Sequence, residues 1–237
     1  MKKNSLAPRL AAIALYIFQL ALLQAASAAL FKTTGDKMFA AYFKDQTDRI
    51  SAKSLSEIKT IEDWNVRKKT YSRQMHEMLG LDPMPPRTPL KATVTGKLQH
   101  AEFEVWKVHF QSKPGLYVTG NLYVPKGIEK PAPTILYVCG HGRVKKDGVS
   151  FGNKVHYQHH GIWFARNGYV CLVIDTLQLG EIEGIHHGTY NHDMWWWNSR
   201  GYSSASVEAW NCIRALDYLE TLKFVDKNRF GVTGRSG

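Results

Sequence analysis

Three short and nearly continuous apolar segments in the second half of the chain constrain its fold most strongly. They are Thr134 to Cys139, Tyr169 to Ile174 and Phe230 to Thr233. Strands that are buried on both faces of a parallel sheet have this composition, because neither face meets water. Helices are predicted between them, over about Val155 to Arg166 and Val207 to Leu219. This alternation predicts a doubly wound α/β fold with ligands at the carboxyl ends of the parallel strands.

The segments before these runs have a different, β-type composition. They extend from Ala92 to Leu98, from Phe103 to Phe110 and from Leu116 to Val124, and the second one is largely alternating. Alternation of this kind is typical of antiparallel strands. We therefore expect a mostly parallel sheet that opens with antiparallel strands.

The N-terminal third has the spacing of helices. Apolar residues recur at helical intervals from Asp36 to Leu79, which predicts two helices. The proline-rich stretch from Leu81 to Pro86 breaks the pattern, because proline removes a backbone donor and favours extended geometry before it. We expect an N-terminal helical segment over residues 29–86 and the sheet domain over residues 87–237.

The extreme N-terminus has the composition of an export signal. Three positive side chains precede an apolar run from Leu10 to Leu23, and Ala26-Ser27-Ala28 provides a small-x-small cleavage pattern. The run is shorter than the roughly 20 apolar residues that a membrane-spanning helix needs. The sequence predicts a signal peptide over residues 1–28, cleavage after Ala28, and a secreted or periplasmic protein with no stable membrane anchor.

Charge excludes one class of partner. The formal net charge is +11, but the positive residues are scattered in short runs such as Arg67-Lys68-Lys69. A nucleic-acid-binding domain would cluster them on one face or along one helix. We expect no nucleic-acid partner, while the positive field is compatible with attraction to acidic polysaccharide.

Cysteines and histidines give little support for a cofactor. The cysteines lie in apolar surroundings typical of small buried hydrophobes, at Cys139, Cys171 and Cys212. Neither a C-x-x-C nor an H-E-x-x-H motif occurs. The alternative metal site is a histidine group whose spacing fits no such motif, at His186, His187 and His192. We expect no metal and no other cofactor.

The third apolar run leads directly into Gly234-Arg235-Ser236-Gly237. These are the first four positions of G-x-S-x-G, the strained strand-to-helix turn that presents a serine nucleophile. A second stretch, Gly148-Val149-Ser150-Phe151-Gly152, matches all five positions but follows a polar loop instead of an apolar strand. Ser236 is therefore the predicted nucleophile, and Ser150 is expected to lie in a flexible connection.

With Ser236 after the third parallel strand, the chain resembles the α/β-hydrolase superfamily, and within it the acetyl xylan esterase-like and dienelactone hydrolase-like branch. The likeness covers roughly residues 90 to 237. It is carried by Gly120-Asn121-Leu122-Tyr123-Val124-Pro125, Cys139-Gly140-His141-Gly142, Asp175 with Gly180, Glu208 to Leu219, and Phe230 to Gly237. The resemblance implies an α/β-hydrolase fold and a serine ester hydrolase.

The resemblance also implies an oxyanion hole made by two backbone N–H groups. One follows the nucleophile and the other comes from the loop after the first parallel strand. These positions correspond to Gly237 and to the His141-Gly142-Arg143 turn, with Gly142 and Arg143 as the main candidates and the donor in that turn left open. His141 itself is expected to be positional.

In this superfamily the order along the chain is serine, acid, histidine. The resemblance therefore implies that the triad acid and histidine lie beyond Gly237, and that Asp175 is a structural aspartate. It further implies that the chain is a fragment, truncated at the nucleophile turn and inactive alone. The strand before Ser236 would then be an open apolar edge that promotes aggregation.

An aromatic segment between the second parallel strand and the long helix lies near the mouth of the expected site. Trp195, Trp196 and Trp197 are candidates to stack on a sugar ring or to wall an acyl pocket, and the alternative is that they pin the loop to the core. Arg235 is a candidate partner for a substrate carboxylate, although glucuronoyl esterases carry arginine after the serine.

The leading functional hypothesis is a secreted serine esterase that acts on a small-molecule or polysaccharide ester, most naturally acylated carbohydrate, through an acyl-enzyme on Ser236. One alternative is a prolyl oligopeptidase-type peptidase, for which the N-terminal segment is too short to hold a propeller. The other is a non-catalytic carbohydrate-binding protein on a degenerate hydrolase fold.

Overall fold

The computed structural model describes residues 33–186, 188–201 and 203–235. These residues fall into two compact units that divide between Lys69 and Thr70. The predicted signal peptide lies outside the described residues. None of the helices within the described ranges is both long and apolar enough to cross a membrane.

Two helices precede the sheet, as the spacing of apolar residues predicts. Helix α1 (Thr34–Lys53) begins with a capping box, in which Thr33 and Asp36 each accept a hydrogen bond from the other's backbone N–H. Helix α2 (Ile61–Met78) crosses the division between the units. The domain boundary after residue 86 stays a prediction.

The second unit is built on one large sheet. In chain order the strands are β1 (Thr93–Gln99), β2 (Phe103–Lys113), β3 (Leu116–Pro125), β4 (Ala132–Val138), β5 (Lys145–Lys146), β6 (Val149–Ser150), β7 (Val170–Ile174) and β8 (Val225–Gly234). Six of them form a sheet in the order β1-β2-β3-β7-β4-β8, and β5 pairs with β6 in a separate ribbon.

The predicted change from antiparallel to parallel pairing is confirmed. Strands β1, β2, β3 and β7 pair antiparallel in that order, whereas β4 pairs parallel with both β7 and β8. The fold is therefore the expected α/β class with antiparallel opening strands. Strand β8 begins at Val225, earlier than the apolar run that starts at Phe230 predicts, because a register irregularity between Ala132 and Thr134 lets the polar residues before Phe230 remain in the strand.

The helices of this unit lie between the parallel strands in sequence. They are α3 (Asn153–His156), α4 (Gln158–Arg166), α5 (Gly188–His192), α6 (Trp196–Ser199) and α7 (Ser204–Glu220). The single helix predicted over 155–166 is wrong in one respect, because Tyr157 interrupts it. Helix α7 begins with a capping box between Ser203 and Ser206.

Buried strand residues divide between the two faces of the sheet. Leu122, Leu136 and Leu172 pack with α7 on one face, and Tyr123, Tyr137 and Cys171 belong to the cluster on the other. Both faces of β7 are buried along its whole length. This two-sided burial is why its sequence is continuously apolar instead of alternating.

The cysteines are buried or half-buried free thiols, as expected from their apolar surroundings. Burial raises the pKa of the Cys171 thiol to about 12 and that of Cys212 to about 11. Since the thiolate is the reactive form, these side chains act as inert packing groups.

Residues 145–150 form a hairpin where the sequence predicts a flexible connection. Asp147 and Gly148 have positive φ values of 52° and 79°, as in a type I′ turn, which suits an Asp-Gly pair. Ser150 ends the second strand of this ribbon and donates its hydroxyl to the carbonyl of Gly180 at 2.9 Å. Ser150 thus lies outside the main sheet, with its hydroxyl already engaged.

Candidate active site

The carboxyl ends of three parallel strands meet at one edge of the sheet. The register pairs Val138 of β4 with both Ile174 of β7 and Gly234 of β8. The backbone N–H of Arg235 donates to the carbonyl of Val138 at 3.3 Å. The predicted nucleophile Ser236 and the donor Gly237 lie outside the described residues, but the strand that leads to them is fixed beside the end of β4.

Gly234 is required by close packing between these strands. A Cβ atom at this position would lie 2.4 Å from the carbonyl oxygen of Val138. Such a separation is far inside van der Waals contact, so a larger residue would push β8 away from β4. The first glycine of the predicted nucleophile turn therefore has a packing reason within the sheet.

The turn after β4 is held by its carbonyl groups. The carbonyls of residues 139, 140 and 141 accept hydrogen bonds from Thr176 Oγ1, from Asn153 Nδ2 at 2.8 Å and from Tyr157 Oη at 2.8 Å, respectively. Asn153 is fully buried and also accepts the Thr176 N–H at Oδ1, at 3.1 Å. These bonds fix the turn after β4 to the turn after β7.

The next two backbone N–H groups differ from these carbonyls in their hydrogen bonding. Neither the N–H of Gly142 nor that of Arg143 donates to another described residue. Gly142 is also packed tightly, since a Cβ atom there would approach the ring of His156 to 3.0 Å. A turn with bound carbonyls and unengaged N–H groups is the arrangement that an oxyanion hole needs.

Asp175 follows β7 and forms the centre of a buried ionic cluster. Its carboxylate accepts from Lys154 Nζ at 2.7 Å, from the Lys154 N–H at 2.9 Å and from Thr119 Oγ1 at 2.6 Å. Lys154 Nζ also donates to Glu181 Oε1 at 2.6 Å. These contacts occupy both carboxylate oxygens of Asp175, which supports the interpretation of this residue as structural.

Lys154 and Asn153 were missed by sequence reasoning. Both stand at the start of a four-residue helix, and no motif marks them. Gly152, directly before them, is the one signal that was present, because a Cβ atom there would lie 2.3 Å from the Asp175 carboxylate. The glycine at the start of the helix therefore indicated that another group comes close to the backbone there. The sequence alone could not identify that group.

His141 lies at the mouth of the site and contacts a second histidine. Its Nε2 atom is 3.1 Å from Nε2 of His186. The half-buried carboxyl of Glu208 is nearby. Burial raises the pKa of that carboxyl, although the Leu177 N–H and the charge of His141 oppose the shift. His141 is thus tied into the loop structure, as a positional role requires.

In the aromatic segment, the two indole side chains that the structure describes are exposed. Trp195 and Trp196 are 58% and 52% exposed, which argues against their pinning the loop to the core. The side chain of Trp197 lies outside what the structure describes. Trp196 lines an open groove of about 630 Å³, whereas Arg235 is exposed at the end of β8 and does not line that groove. The structure therefore brings Trp196, but not Arg235, to a groove wall.

A family model described as the Abhydrolase family matches residues 43–236. The chain belongs to the Abhydrolase family. The resemblance to α/β-hydrolases is therefore confirmed, and membership of the Abhydrolase family supports a hydrolase. No protein of curated function matches the sequence.

Solved structures share the fold of this Abhydrolase family member at low sequence identity. A Bacteroides fragilis protein assigned as an acetyl xylan esterase has a TM-score of 0.62 at 18% identity, over 76% of this chain and 49% of its own. A methylesterase has a TM-score of 0.58 at 21% identity, over 81% and 40%. The glucuronoyl esterase from Solibacter usitatus has a TM-score of 0.51 at 19% identity, over 76% and 54%.

The chain thus spans about half the length of the solved proteins it matches, between 40% and 54% of the three described above. At such identities the comparison shows a shared fold. All three of these proteins are described as esterases.

Proposed function

We propose that this Abhydrolase family member is an exported carboxylic ester hydrolase that acts on acylated carbohydrate through an acyl-enzyme on Ser236. The observation that carries the proposal is the turn after β4, whose carbonyls at residues 139–141 are all hydrogen bonded while the N–H groups of Gly142 and Arg143 donate to no residue that the structure describes. That turn stands beside the strand that ends at Gly234.

In the proposed reaction, Ser236 Oγ attacks the ester carbonyl and its proton passes to a general base. The alcohol then leaves with a proton, and water hydrolyses the acyl-enzyme. Negative charge on the carbonyl oxygen would be stabilised by an N–H of the Gly142-Arg143 turn and by that of Gly237.

Neither acid nor base is assigned to a described residue. Asp175 is committed to Lys154 and Thr119. His141 precedes Ser236, whereas the α/β-hydrolase order places the histidine after the serine. The pattern of contacts therefore leaves Asp175 and His141 in structural and positional roles.

A matched pair of serine variants tests the mechanism. The full-length gene product should hydrolyse 4-nitrophenyl acetate and release acetate from acetylated xylan, and Ser236→Ala should reduce kcat by at least about 10³-fold. Ser150→Ala removes the serine of the competing five-residue pattern and should retain kcat. If Ser150→Ala lost activity and Ser236→Ala retained it, the nucleophile would be Ser150, and the proposed assignment to Ser236 would be wrong.

Export is proposed from the N-terminal pattern. Positive residues, a short apolar run and Ala26-Ser27-Ala28 support cleavage after Ala28. The protein recovered from the periplasm or medium should begin at Ala29 by N-terminal sequencing. Recovery of only the uncleaved form from the cytoplasm would contradict export.

A non-catalytic carbohydrate-binding protein is the second candidate, and the exposed indoles of Trp195 and Trp196 favour it. The same assay separates the two functions. A binder would retain affinity for xylan fragments but would show no turnover that depends on Ser236.

A further inference from the structure

Helix α1 exposes an apolar face along most of its length. The helix (Thr34–Lys53) has 20 residues, and none of them is buried. Helices of globular proteins gain most of their stability by packing such a face against a partner. The exposed face of α1 is therefore a candidate interaction surface. Its large apolar side chains are between 58% and 72% exposed, and they are Met38, Phe39, Tyr42, Phe43 and Ile50.

Three of these side chains belong to a longer repeat in the sequence of α1. Steps of three and four residues alternate through six positions, as the a and d positions of a coiled-coil heptad do. We call these positions the α1 seam, and in chain order they are Asp36, Phe39, Phe43, Gln46, Ile50 and Lys53. The middle of the seam is uncharged, and its two ends carry charges of opposite sign. Met38 occupies a c position of the heptad, outside the seam.

The α1 seam is complementary to itself when two copies of the helix run antiparallel. With the two-fold axis at the middle of the helix, the first seam position of one copy faces the last position of the other, and every a position faces a d position. The facing pairs are Asp36 with Lys53, Phe39 with Ile50, and Phe43 with Gln46 of the second copy. Each of these contacts occurs twice, because a two-fold interface uses the same surface on both copies.

A parallel pair of the same helices would be unfavourable at both ends of the seam. It would place Asp36 opposite Asp36 and Lys53 opposite Lys53 of the second copy. Like charges that face each other across a helix contact repel, whereas the antiparallel pair brings opposite charges together. The charges at the ends of the seam therefore favour the antiparallel direction.

The charged side chains near the middle of α1 are paired within the helix. Lys44 Nζ lies 2.5 Å from the carboxylate of Asp48, and Arg49 Nε lies 2.9 Å from that of Asp45. Lys53, in contrast, belongs to none of the ion pairs between described residues. Its ammonium group is thus available to a carboxylate of the second copy.

We propose that α1 is a dimerisation helix, through which two copies of this chain pair antiparallel along the α1 seam. Phe39, Phe43 and Ile50 are buried between the two helices, and Asp36 pairs with Lys53 of the second copy at each end. The proposal concerns the assembly of the protein, and it is independent of the proposed ester hydrolysis.

The charge pattern of α1 favours a second copy over a lipid surface as the partner. An amphipathic helix that lies on a membrane is rich in lysine and arginine on its polar face. Helix α1 has four basic residues but also three acidic ones, and one of these, Asp36, lies in the seam itself. Pairing with a second copy gives that carboxylate a cation, whereas an anionic lipid surface would repel it.

Sedimentation equilibrium of the mature full-length protein, over about 1 to 100 µM, measures the dimer dissociation constant. The wild-type protein should show a monomer–dimer equilibrium in this range. Phe39→Ala should raise the dissociation constant at least about a hundredfold, because the symmetric interface loses the aromatic ring twice. The matched control is Met38→Ala, which changes the neighbouring side chain of equal exposure, 68%, and should alter the constant less than about threefold.

Charge reversals test the direction of pairing. Asp36→Lys and Lys53→Asp should each weaken the dimer at least about tenfold, because each places like charges together at both ends of the seam. The variant that carries both changes should return to within about threefold of the wild type. This rescue also controls for the helix cap, since the double variant lacks the Asp36 cap as well. In a parallel pair, the single reversals would change the affinity little.

A protein that stays monomeric up to about 100 µM would overturn the proposal. So would a dimer that Phe39→Ala weakens no more than Met38→Ala does, or one that only Val232→Lys on the exposed edge strand β8 disrupts. Failure of the double charge reversal to restore the dimer would overturn antiparallel pairing. Far-UV circular dichroism verifies the fold of each variant. Phe39→Ala should keep the helix, because alanine favours helix and the replaced ring is exposed.

Discussion

Replacing Lys154 by methionine tests whether the buried ionic cluster holds the site together. The side chains of Lys154 and Asp175 are 2% and 4% exposed and meet at 2.7 Å. Methionine has a similar length but no charge, so the carboxylate of Asp175 would be left buried without its cation. Breaking a buried pair from one side costs about 3–5 kcal/mol.

The structure places the expected loss at the lower end of that range. Asp175 would keep hydrogen bonds from Thr119 Oγ1 and from the backbone N–H of residue 154, which partly compensate its charge. Lys154 would also release Glu181, but that side chain is 49% exposed and can be solvated. We therefore expect a loss of about 3 kcal/mol in the free energy of unfolding, and a fall in Tm of roughly 6–12 °C.

Urea unfolding followed by far-UV circular dichroism and tryptophan fluorescence measures the loss. The matched control is Lys145→Met, which removes an ion pair to Glu183 between side chains that are 44% and 41% exposed. That change should cost less than about 1 kcal/mol. Coincident transitions by the two probes would justify a two-state treatment of the variants.

A double-mutant cycle tests whether the loss of unfolding free energy arises from the interaction between Lys154 and Asp175. If the charges act on each other, Lys154→Met with Asp175→Leu should cost much less than the sum of the single changes, because neither charge is then left buried alone. The reasoning is refuted if Lys154→Met costs no more than Lys145→Met, or if the two single effects are additive.

Three further changes have defined outcomes. Gly234→Ala should lower the unfolding free energy by about 2 kcal/mol, measured in urea, because the methyl group would meet the Val138 carbonyl. Stability that depends on Glu208 is fully present below the ordinary value of 4.5 and is lost as pH rises through its raised folded pKa, so Glu208→Gln should stabilise the protein at about pH 7 and change little at about pH 4 in melting experiments. Val232→Lys changes a residue that is 62% exposed on the edge strand β8, and should reduce aggregation of the chain measured by light scattering.

The parallel strands were predictable because burial on two faces produces a distinctive local sequence pattern. Every residue of β7 is buried, so its sequence reads as continuously apolar. The first glycine of the predicted nucleophile turn, Gly234, was also informative, and its physical reason in the structure is the neighbouring carbonyl of Val138. Local composition therefore sufficed for the class of fold and for the edge at which the site lies.

The polar framework of the site was not predictable from local sequence. Asn153 joins Gly140 to Thr176, and Lys154 joins Asp175 to Glu181, across separations of 13 to 27 residues. Such pairs are chosen by tertiary proximity, and a lone lysine or asparagine in a short helix has the same appearance on a solvated surface. The Asp147-Gly148 turn is different, since the pair is a recognised hairpin signal that the polar surroundings concealed.

These buried polar contacts matter for the candidate site because they fix the orientation of the turn that carries the candidate oxyanion-hole N–H groups. An oxyanion hole works only if its N–H groups already point at the developing charge before reaction, because reorienting dipoles during the reaction would add to the barrier. The N–H groups of Gly142 and Arg143 belong to a turn whose preceding carbonyls are bound from three directions, by side chains of α3, of the residue before α4 and of the turn after β7. The fully buried Asn153 is the common member of that framework, so the orientation of the turn is set largely by the core.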